Sequence, residues 1–195
     1  MQKPHDDPFQ QFAAWYEMAS NSSIDKPHAM VLSTNDDTGG VSSRVVFLSS
    51  FNHDGFVFHT NYLSKKGREI EASPRVALLF WWDELGYQVR IGGVAKKTDP
   101  SESDDYFSGR PRGSQIGAWA SEQSQVITGR SVLDARAEEF SAKFKAQDVP
   151  RPPHWGGYRV KPDRFEFWVS RENRLHDRFF YTPSGEGWSW VRLAP

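Results

Sequence analysis

The stretch RLHDRFFY, residues 174–181, combines two arginines, a histidine and an aspartate with three aromatic residues. Alternate side chains of a β-strand share a face, so one face would carry Arg174, His176, Arg178 and Phe180. The other face would carry Leu175, Asp177, Phe179 and Tyr181. Cationic and titratable groups are unsuited to a hydrophobic core. The first face is therefore expected to contact an anion or an aromatic ring.

Two earlier segments also carry cations where an anion could bind. Ser64, Lys65 and Lys66 stand at the start of an expected helix, where free backbone N–H groups and the helix dipole favour a phosphate. A solvated surface is the common alternative for such a lysine pair. Arg44 lies within an apolar strand pattern, where an arginine needs an anion or an acidic residue as its partner.

A third segment, YFSGRPRGS, places hydroxyl groups beside guanidinium groups. Arginine binds phosphate oxygens in a bidentate fork, so this combination suits a phosphomonoester. A salt-bridged turn would explain the same residues equally well. The residues concerned are Tyr106, Arg110, Arg112 and Ser114.

Composition limits the classes of protein that remain. The chain has 195 residues, a net charge of -1 and no cysteine, which excludes disulfides, thiolate catalysis and cysteine-ligated zinc. The near-neutral charge disfavours a nucleic-acid binder. No metal-ligand, Rossmann or P-loop motif occurs, so no metal site is expected. The N-terminal residues lack the apolar core of a signal peptide and no apolar run is long enough to span a membrane, so the expectation is a soluble cytoplasmic protein.

Hydrophobic periodicity and turn residues predict a mainly β fold with helices. Expected helices lie at 7–20, 64–74, 99–111, 114–124 and 131–147, the last with Ser131 and Asp134 as a capping box. Expected strands lie at 28–35, 41–50, 55–61, 75–82, 87–97, 157–170, 174–181 and 187–195, with 41–50 and 55–61 forming a hairpin. Short turns between strands favour an antiparallel barrel decorated by helices. No shift in composition marks a domain boundary, so residues 1–195 are expected to form a single domain with an N-terminal helical segment at 1–25.

Long motifs of this chain resemble the pyridoxine (pyridoxamine) 5'-phosphate oxidase family. They are SGRPRGSQIGAWASEQS at 108–124, GFVFHTNYLSKKGREIEASPRVALLFWW at 55–82, QVRIGG at 88–93, and the ending WGGYR, EFW, RLHDR and RLAP. The similarity extends from about residue 8 to Pro195. It implies a split β-barrel homodimer that binds FMN between the subunits, with residues 157–195 supplying dimerisation and active-site strands. It also implies oxidation of pyridoxamine or pyridoxine 5'-phosphate to pyridoxal 5'-phosphate, with O2 as acceptor and release of hydrogen peroxide.

The resemblance assigns roles by position. Substrate contacts would come from Tyr106, Arg110 and Ser114 at the phosphate, and from Arg174 and His176, also the catalytic residues, around the pyridine ring. Arg178 would lie near the flavin, while Asp177 on the other face would be structural. The full set of implied FMN contacts is Arg44, Val45, Val46, Phe47, Thr60, Lys65, Lys66, Gln88, Gln123, Ser124, Trp168 and Arg178.

The chain departs from the family pattern at three places. Ser49 replaces a lysine that helps to hold the substrate phosphate, and His59 stands where tyrosine is common. Val169 and Ser170 replace an amide and a glycine. Related phenazine-biosynthesis oxidases also carry serine at the lysine position, although they lack the SQIGAW run. A flavin oxidase with an altered substrate, or a flavin-binding protein with little oxidase activity, are therefore the alternatives.

Overall fold

The computed structural model describes residues 3–195, which form five α-helices and nine β-strands. The helices are α1 (Pro8–Ser20), α2 (Lys65–Ala72), α3 (Pro100–Ser108), α4 (Arg112–Ala120) and α5 (Arg130–Lys143). The strands are β1 (Ala29–Asn35), β2 (Val41–Phe47), β3 (Ser50–Asn52), β4 (Gly55–Asn61), β5 (Arg75–Trp82), β6 (Tyr87–Lys97), β7 (Trp155–Val169), β8 (Asp177–Ser184) and β9 (Gly187–Arg192). None of the helices in this part of the chain is long and apolar enough to cross a membrane.

All nine strands belong to one antiparallel sheet that curls into a half-barrel. The main path runs β2-β1-β5-β6-β7-β4-β3, and β8 and β9 continue from β7. The long strand β7 makes this possible, because its first residues pair with β4 and its last residues pair with β8. Its other edge pairs with β6 on both sides of a register shift at Gly92 and Gly93, opposite Pro162. A proline has no N–H for the ladder, which explains why the irregularity lies there.

The core lies on one face of this sheet. On β5 the buried side chains of Val76, Leu78, Phe80 and Trp82 alternate with more exposed ones, as the period of a strand requires. Helix α1 covers this face with Phe9, Phe12 and Trp15. Asp7 caps α1 by accepting a hydrogen bond from the N–H of Phe9 at 2.9 Å. A second, smaller core joins α3, α4 and the segment after α5 to the start of β7 through Phe107, Ile116, Phe144, Val149 and Trp155.

Three predictions about elements were wrong. The expected strand 41–50 breaks after Phe47, so the hairpin is β3–β4, and β2 pairs with β1 instead. Helix α5 begins at Arg130 after Gly129, so Ser131 and Asp134 form no capping box, and it ends at Lys143. The expected helix 114–124 ends at Ala120.

The strand expected at 174–181 also differs from the structure. The strand begins only at Asp177, and Arg174 belongs to a single 3-10 turn, Glu172–Arg174. Asn173 and Arg174 have positive φ angles of 55° and 62°, which are incompatible with a strand. Arg174 and His176 therefore do not share a strand face with Arg178. A turn positions them instead.

Candidate active site

The start of α2 brings together five of the residues expected to contact a flavin: Thr60, Lys65, Lys66, Gln123 and Ser124. The Lys66 ammonium donates to Gln123 Oε1 at 2.7 Å and to Thr60 Oγ1 at 3.3 Å. The backbone N–H of Lys65 donates to Ser124 Oγ at 3.1 Å. Ser64 caps the helix by accepting from the N–H of Gly67. The helix dipole at the start of α2 and the Lys66 ammonium thus converge on one place, where the N–H groups of Lys65 and Gly67 already donate to Ser124 and Ser64.

Lys66 is a cation whose hydrogen-bond partners are neutral. Its bonds go to hydroxyl and amide oxygens, and within residues 3–195 no carboxylate lies within ion-pair distance of it. Burial, followed by the charge of Arg44, lowers the pKa of Lys66 to about 8 against the opposing effect of Glu69. Lys65 differs, because its ammonium lies 3.7 Å from Glu69. A half-buried ammonium without a carboxylate is suited to bind an anion such as a phosphate.

Arg44 is held by Glu69, a residue that the sequence did not single out. The guanidinium lies 3.1 Å from Glu69 Oε2 and also donates to Thr34 and Ser42. Burial raises the pKa of the Glu69 carboxyl, but hydrogen bonds from Thr34 and Ser42 and the charge of Arg44 outweigh it, so the pKa is lowered. The partner expected for Arg44 is therefore an acidic residue of the same chain. It fixes the direction of the guanidinium at the end of the sheet that carries α2.

Gly67 explains how closely α2 approaches the end of β4. A Cβ at this position would lie 2.1 Å from the carbonyl oxygen of Tyr62. Only a residue without a side chain fits there, and the contact fixes the position of Lys66 relative to Thr60.

The face of the sheet opposite α1 carries a second group of expected contacts. Direct cross-strand partners share a face, and Gln88 lies opposite Trp168, which lies opposite Arg178. Trp81, also opposite Gln88, is 51% exposed. Val45 and Phe47 of β2 are likewise exposed, while Val46 packs towards the core. This outward sheet face is polar and aromatic, with large side chains open to solvent.

Arg178 is anchored by a second buried acid, Glu166. Its Nε donates to Glu166 Oε1 at 2.8 Å and its Nη1 to the carbonyl oxygen of Ala194 at 2.9 Å. Arg90 bonds the other carboxylate oxygen at 3.0 Å. The hydrogen bond and charge of Glu166 raise the pKa of Arg178. Arg178 is therefore a fixed cation beside Trp168.

The turn before β8 places His176 against Trp168. Their ring centroids are 4.4 Å apart, and His176 Nδ1 accepts a hydrogen bond from the N–H of Arg171 at 3.1 Å. That bond leaves the proton of the neutral imidazole on Nε2. Arg171 also bonds Asp177 at 2.8 Å, which steadies the turn. Arg174 is exposed.

Three of the expected substrate-phosphate residues, Tyr106, Arg110 and Ser49, lie close to His59, which the sequence marked only as a departure from the family pattern. The rings of His59 and Tyr106 are parallel within 4°, with centroids 3.8 Å apart. The Arg110 guanidinium lies 4.5 Å from the centroid of the Trp155 ring. Ser49 Oγ lies 2.8 Å from His59 Nδ1. Ser114 is exposed on the first turn of α4.

These groups occupy two ends of the sheet. His59 and Thr60 pair with Gly157 and Gly156 near the start of β7, whereas Gln88 and Arg178 pair with Trp168 near its end. Twelve residues of strand correspond to a path of about 40 Å at ~3.3 Å per residue. One chain therefore brings the α2 and His59 groups close together but leaves Gln88, Trp168, Arg174, His176 and Arg178 at the far end.

Comparison with protein families matches two profiles to this chain. Residues 17–144 match "Pyridoxamine 5'-phosphate oxidase", and residues 155–195 match "Pyridoxine 5'-phosphate oxidase C-terminal dimerisation region". A pyridoxine/pyridoxamine 5'-phosphate oxidase of Rubrobacter xylanophilus is 54% identical over 97% of this chain and 87% of its own length. One from Paraburkholderia phymatum is 52% identical over 96% of this chain and 89% of its own length.

Two solved structures share the fold. The crystal structure of PhzG from Burkholderia lata 383, in complex with tetrahydrophenazine-1-carboxylic acid, has a TM-score of 0.93 and 34% identity, covering 100% of this chain and 95% of that one. A pyridoxamine 5'-phosphate oxidase-related, FMN binding protein from Nostoc punctiforme has a TM-score of 0.75. Its 16% identity, over 96% of this chain and 98% of that one, supports the split-barrel fold.

Proposed function

The chain belongs to the pyridoxamine 5'-phosphate oxidase family, and on that premise we propose that it is an FMN-dependent oxidase of phosphorylated B6 vitamers. It would convert pyridoxamine or pyridoxine 5'-phosphate to pyridoxal 5'-phosphate, with O2 as the acceptor and hydrogen peroxide as the second product. The observation that carries the proposal is the convergence of Thr60, Lys66, Gln123 and the start of α2 on one anion-binding position. A cytoplasmic location stays a prediction.

The residues at the start of α2 fit the phosphate of FMN. Lys66 supplies a positive charge that lacks a carboxylate, Ser124 and Thr60 supply hydroxyls, and the start of the helix supplies its dipole. The Arg44 guanidinium, whose charge is paired with Glu69, lies at the same end of the sheet. The exposed Val45 and Phe47 and the half-buried Val46 would contact the remainder of the cofactor.

The remaining flavin contacts would come from a second copy of the chain. Gln88, Trp168 and Arg178 lie at the far end of β7, and the outward sheet face leaves Phe47 and Trp81 about half exposed. Large exposed apolar side chains on a sheet face are typical of a protein interface. Residues 155–195 match a dimerisation region. A homodimer would bring each α2 group towards a partner's Trp168 and Arg178.

The substrate would lie between the His59 group of one subunit and the turn before β8 of a second copy of the chain. Tyr106, Arg110, Ser114 and Ser49 would bind its phosphate. His176, with its proton held on Nε2, and Arg174 would hold the pyridine ring in place. The chemistry that a bound flavin supplies is acceptance of a hydride from the C4' carbon. The protein's part is orientation, because hydride transfer requires reacting atoms ~3–3.5 Å apart.

An oxidase assay tests this proposal directly. The purified protein, loaded with FMN, is mixed with pyridoxamine 5'-phosphate, pyridoxine 5'-phosphate and their unphosphorylated forms, and peroxide release is measured. We expect peroxide with the phosphorylated vitamers and much less with the others. A flavin-loaded protein that releases no peroxide at saturating substrate would instead be a flavin-binding protein with another role.

A second candidate is oxidation of a phenazine precursor. Two observations favour it, namely the similarity to PhzG over the full chain and Ser49 in place of the family lysine. The same assay with tetrahydrophenazine-1-carboxylic acid separates the two substrates. A higher kcat/KM for this compound than for pyridoxamine 5'-phosphate would decide for the second candidate.

A further inference from the structure

Two of the positions that set this chain apart from its family form a single hydrogen-bonded pair. Ser49 lies just after β2 and His59 lies near the end of β4, and Ser49 Oγ is 2.8 Å from His59 Nδ1. The imidazole is stacked 3.8 Å from Tyr106 and 5.2 Å from Trp155. The Ser49 hydroxyl therefore occupies the place of the lysine, and the His59 imidazole occupies the place of the tyrosine.

This pair leaves the surrounding site with few available charges. Two arginines face His59: Arg110 from the α3–α4 connection and Arg151 from the segment before β7. Arg151 is bonded to Asp104 at 2.6 Å, so its charge is already balanced. Arg110 has no ion-pair partner within the described residues, and its Nη1 is buried without a hydrogen bond. The other titratable group packed against His59 is Tyr106 of α3.

His59 adds no charge of its own at neutral pH. Burial, followed by the charges of Arg110 and Arg151, lowers its pKa to about 4. A lysine in the position of Ser49 would instead carry a full charge at every physiological pH. Among the described residues that face His59, one guanidinium, that of Arg110, has no carboxylate partner, and the hydroxyls there carry no charge.

We propose that the Ser49–His59 pair makes the phosphate-binding end of the substrate site singly charged, so that a phosphate monoester binds as its monoanion with uptake of one proton. This inference rests on the proposed function, which places the substrate phosphate beside Tyr106 and Arg110. A dianion against one guanidinium would leave a negative charge uncompensated between aromatic rings, and such a charge is costly. Protonation of the phosphate removes that charge.

Binding of the phosphate as a monoanion has a defined pH dependence. The second pKa of a phosphate monoester is about 6, so the free ligand is mainly a dianion above that pH. Binding as the monoanion then weakens about tenfold for each pH unit above 6, since each unit lowers the monoanion fraction tenfold. A site with a second fixed cation would bind the dianion and lack this dependence.

The test uses 4-deoxypyridoxine 5'-phosphate, which lacks the oxidisable group, titrated calorimetrically into the FMN-loaded protein from pH 6 to 8.5. Two buffers of different ionisation enthalpy report the number of protons taken up. The proton uptake of the wild type is compared with that of S49K/H59Y, which restores a lysine and a tyrosine. Protonation of the ligand ring contributes equally to both proteins and cancels in the difference. We expect the wild type to take up about one more proton than S49K/H59Y and to lose affinity about tenfold more per pH unit.

Two controls sharpen the result. S49A removes the hydrogen bond to His59 without adding a charge and is expected to keep the proton uptake, and S49K alone replaces S49K/H59Y if the latter does not fold. The 31P chemical shift of the bound ligand at pH 8 should be that of a monoanion. A dianion shift, or equal proton uptake by wild type and the lysine variant, would overturn the inference. No binding by either protein would refute the proposed function as well.

Discussion

Lys66 is a half-buried ammonium whose partners in this chain are hydroxyl and amide oxygens. Replacing it by methionine keeps its length but removes its charge, so we expect Lys66→Met to weaken FMN binding. A hydrogen bond to a charged group contributes ~1.5–3 kcal/mol, which corresponds to about a 10- to 100-fold rise in Kd. The Kd for FMN is measured by the quenching of FMN fluorescence on binding. Lys145→Met, at an exposed position after α5, is the matched control and should leave the Kd unchanged.

The same residue predicts a pH dependence of stability in the protein without FMN. The pKa of Lys66 is about 8 in the folded chain, against 10.5 as its ordinary value. Between these values the unfolded chain binds more protons than the folded one, so the free energy of unfolding rises with pH. Urea denaturation of wild type and Lys66→Met between pH 7.5 and 10 isolates this contribution. A wild-type curve parallel to that of the variant would contradict it.

Arg174 lies in the turn before β8 and has no part in the core. Its proposed role is to hold the substrate ring, so Arg174→Gln should lower kcat/KM for pyridoxamine 5'-phosphate. A lost charged hydrogen bond corresponds to about a 10- to 100-fold decrease. The Kd for FMN should not change, and Arg130→Gln on the exposed side of α5 should change neither quantity. Loss of FMN affinity in Arg174→Gln would assign the residue to the cofactor instead.

Family motifs predicted residues that lie together in the fold, whereas contacts that depend on a neighbouring strand were not predicted. Thr60, Lys66 and Gln123 were predicted from family motifs and lie together. Glu69 and Glu166 were missed, because the arginines that pair with them lie on other strands. Cross-strand register is set by the folded sheet, and spacing along one segment does not contain it.

At the scale of elements, the approach of α2 to the end of β4 depends on Gly67. The Cβ of an alanine would lie 2.1 Å from the Tyr62 carbonyl oxygen, so Gly67→Ala should displace the helix. Overpacking typically costs 1–3 kcal/mol, and we expect about 3 kcal/mol here, together with weaker FMN binding. Gly187→Ala is the control, because nothing lies within 4 Å of its Cβ. Urea denaturation of both variants measures the loss of stability, and FMN titration measures the change in Kd.

The elements themselves were predictable where their pattern is regular and not where the backbone bends. The β5–β6 pair follows from alternating apolar residues, and α1 follows from Asp7-Pro8. The break after Phe47 and the turn at Asn173 and Arg174 interrupt patterns that look continuous. Polar residues in left-handed conformations carry no reliable signal in a single sequence. For this reason the cationic face predicted for 174–181 was wrong although its residues lie near Trp168.

At the scale of the whole molecule, the outward sheet face predicts how the chain associates. Trp81 of this face is 51% exposed and is not an expected cofactor contact. A charge there opposes burial against a second copy, so Trp81→Lys should give a monomer in sedimentation equilibrium and should lose FMN. Met18→Lys, on an exposed part of α1, should remain dimeric. A dimeric Trp81→Lys protein would place the interface elsewhere.

The pairing of distant strands in the sheet could not be predicted from the sequence pattern alone. An antiparallel barrel was predicted, yet nothing in the local pattern indicates that one strand pairs with β4 through its first residues and with β8 through its last. Strand β7 does so through Pro162, a residue that argues against a continuous strand when the sequence is considered alone. The family resemblance, and not periodicity, supplied the expectation of a split barrel.

The late position of β7 in the chain also has a consequence for folding during synthesis on the ribosome. Phe56 of β4 pairs with Val160 of β7, about 100 residues later in the chain. At a translation rate of ~5–20 residues per second, β4 waits roughly 5–20 s with an unpaired edge before β7 emerges. The unpaired N–H and C=O groups of such an edge can pair with other nascent chains. The last forty residues thus close the sheet as well as completing the site, and a chain truncated before them would be a substrate for chaperones or proteases.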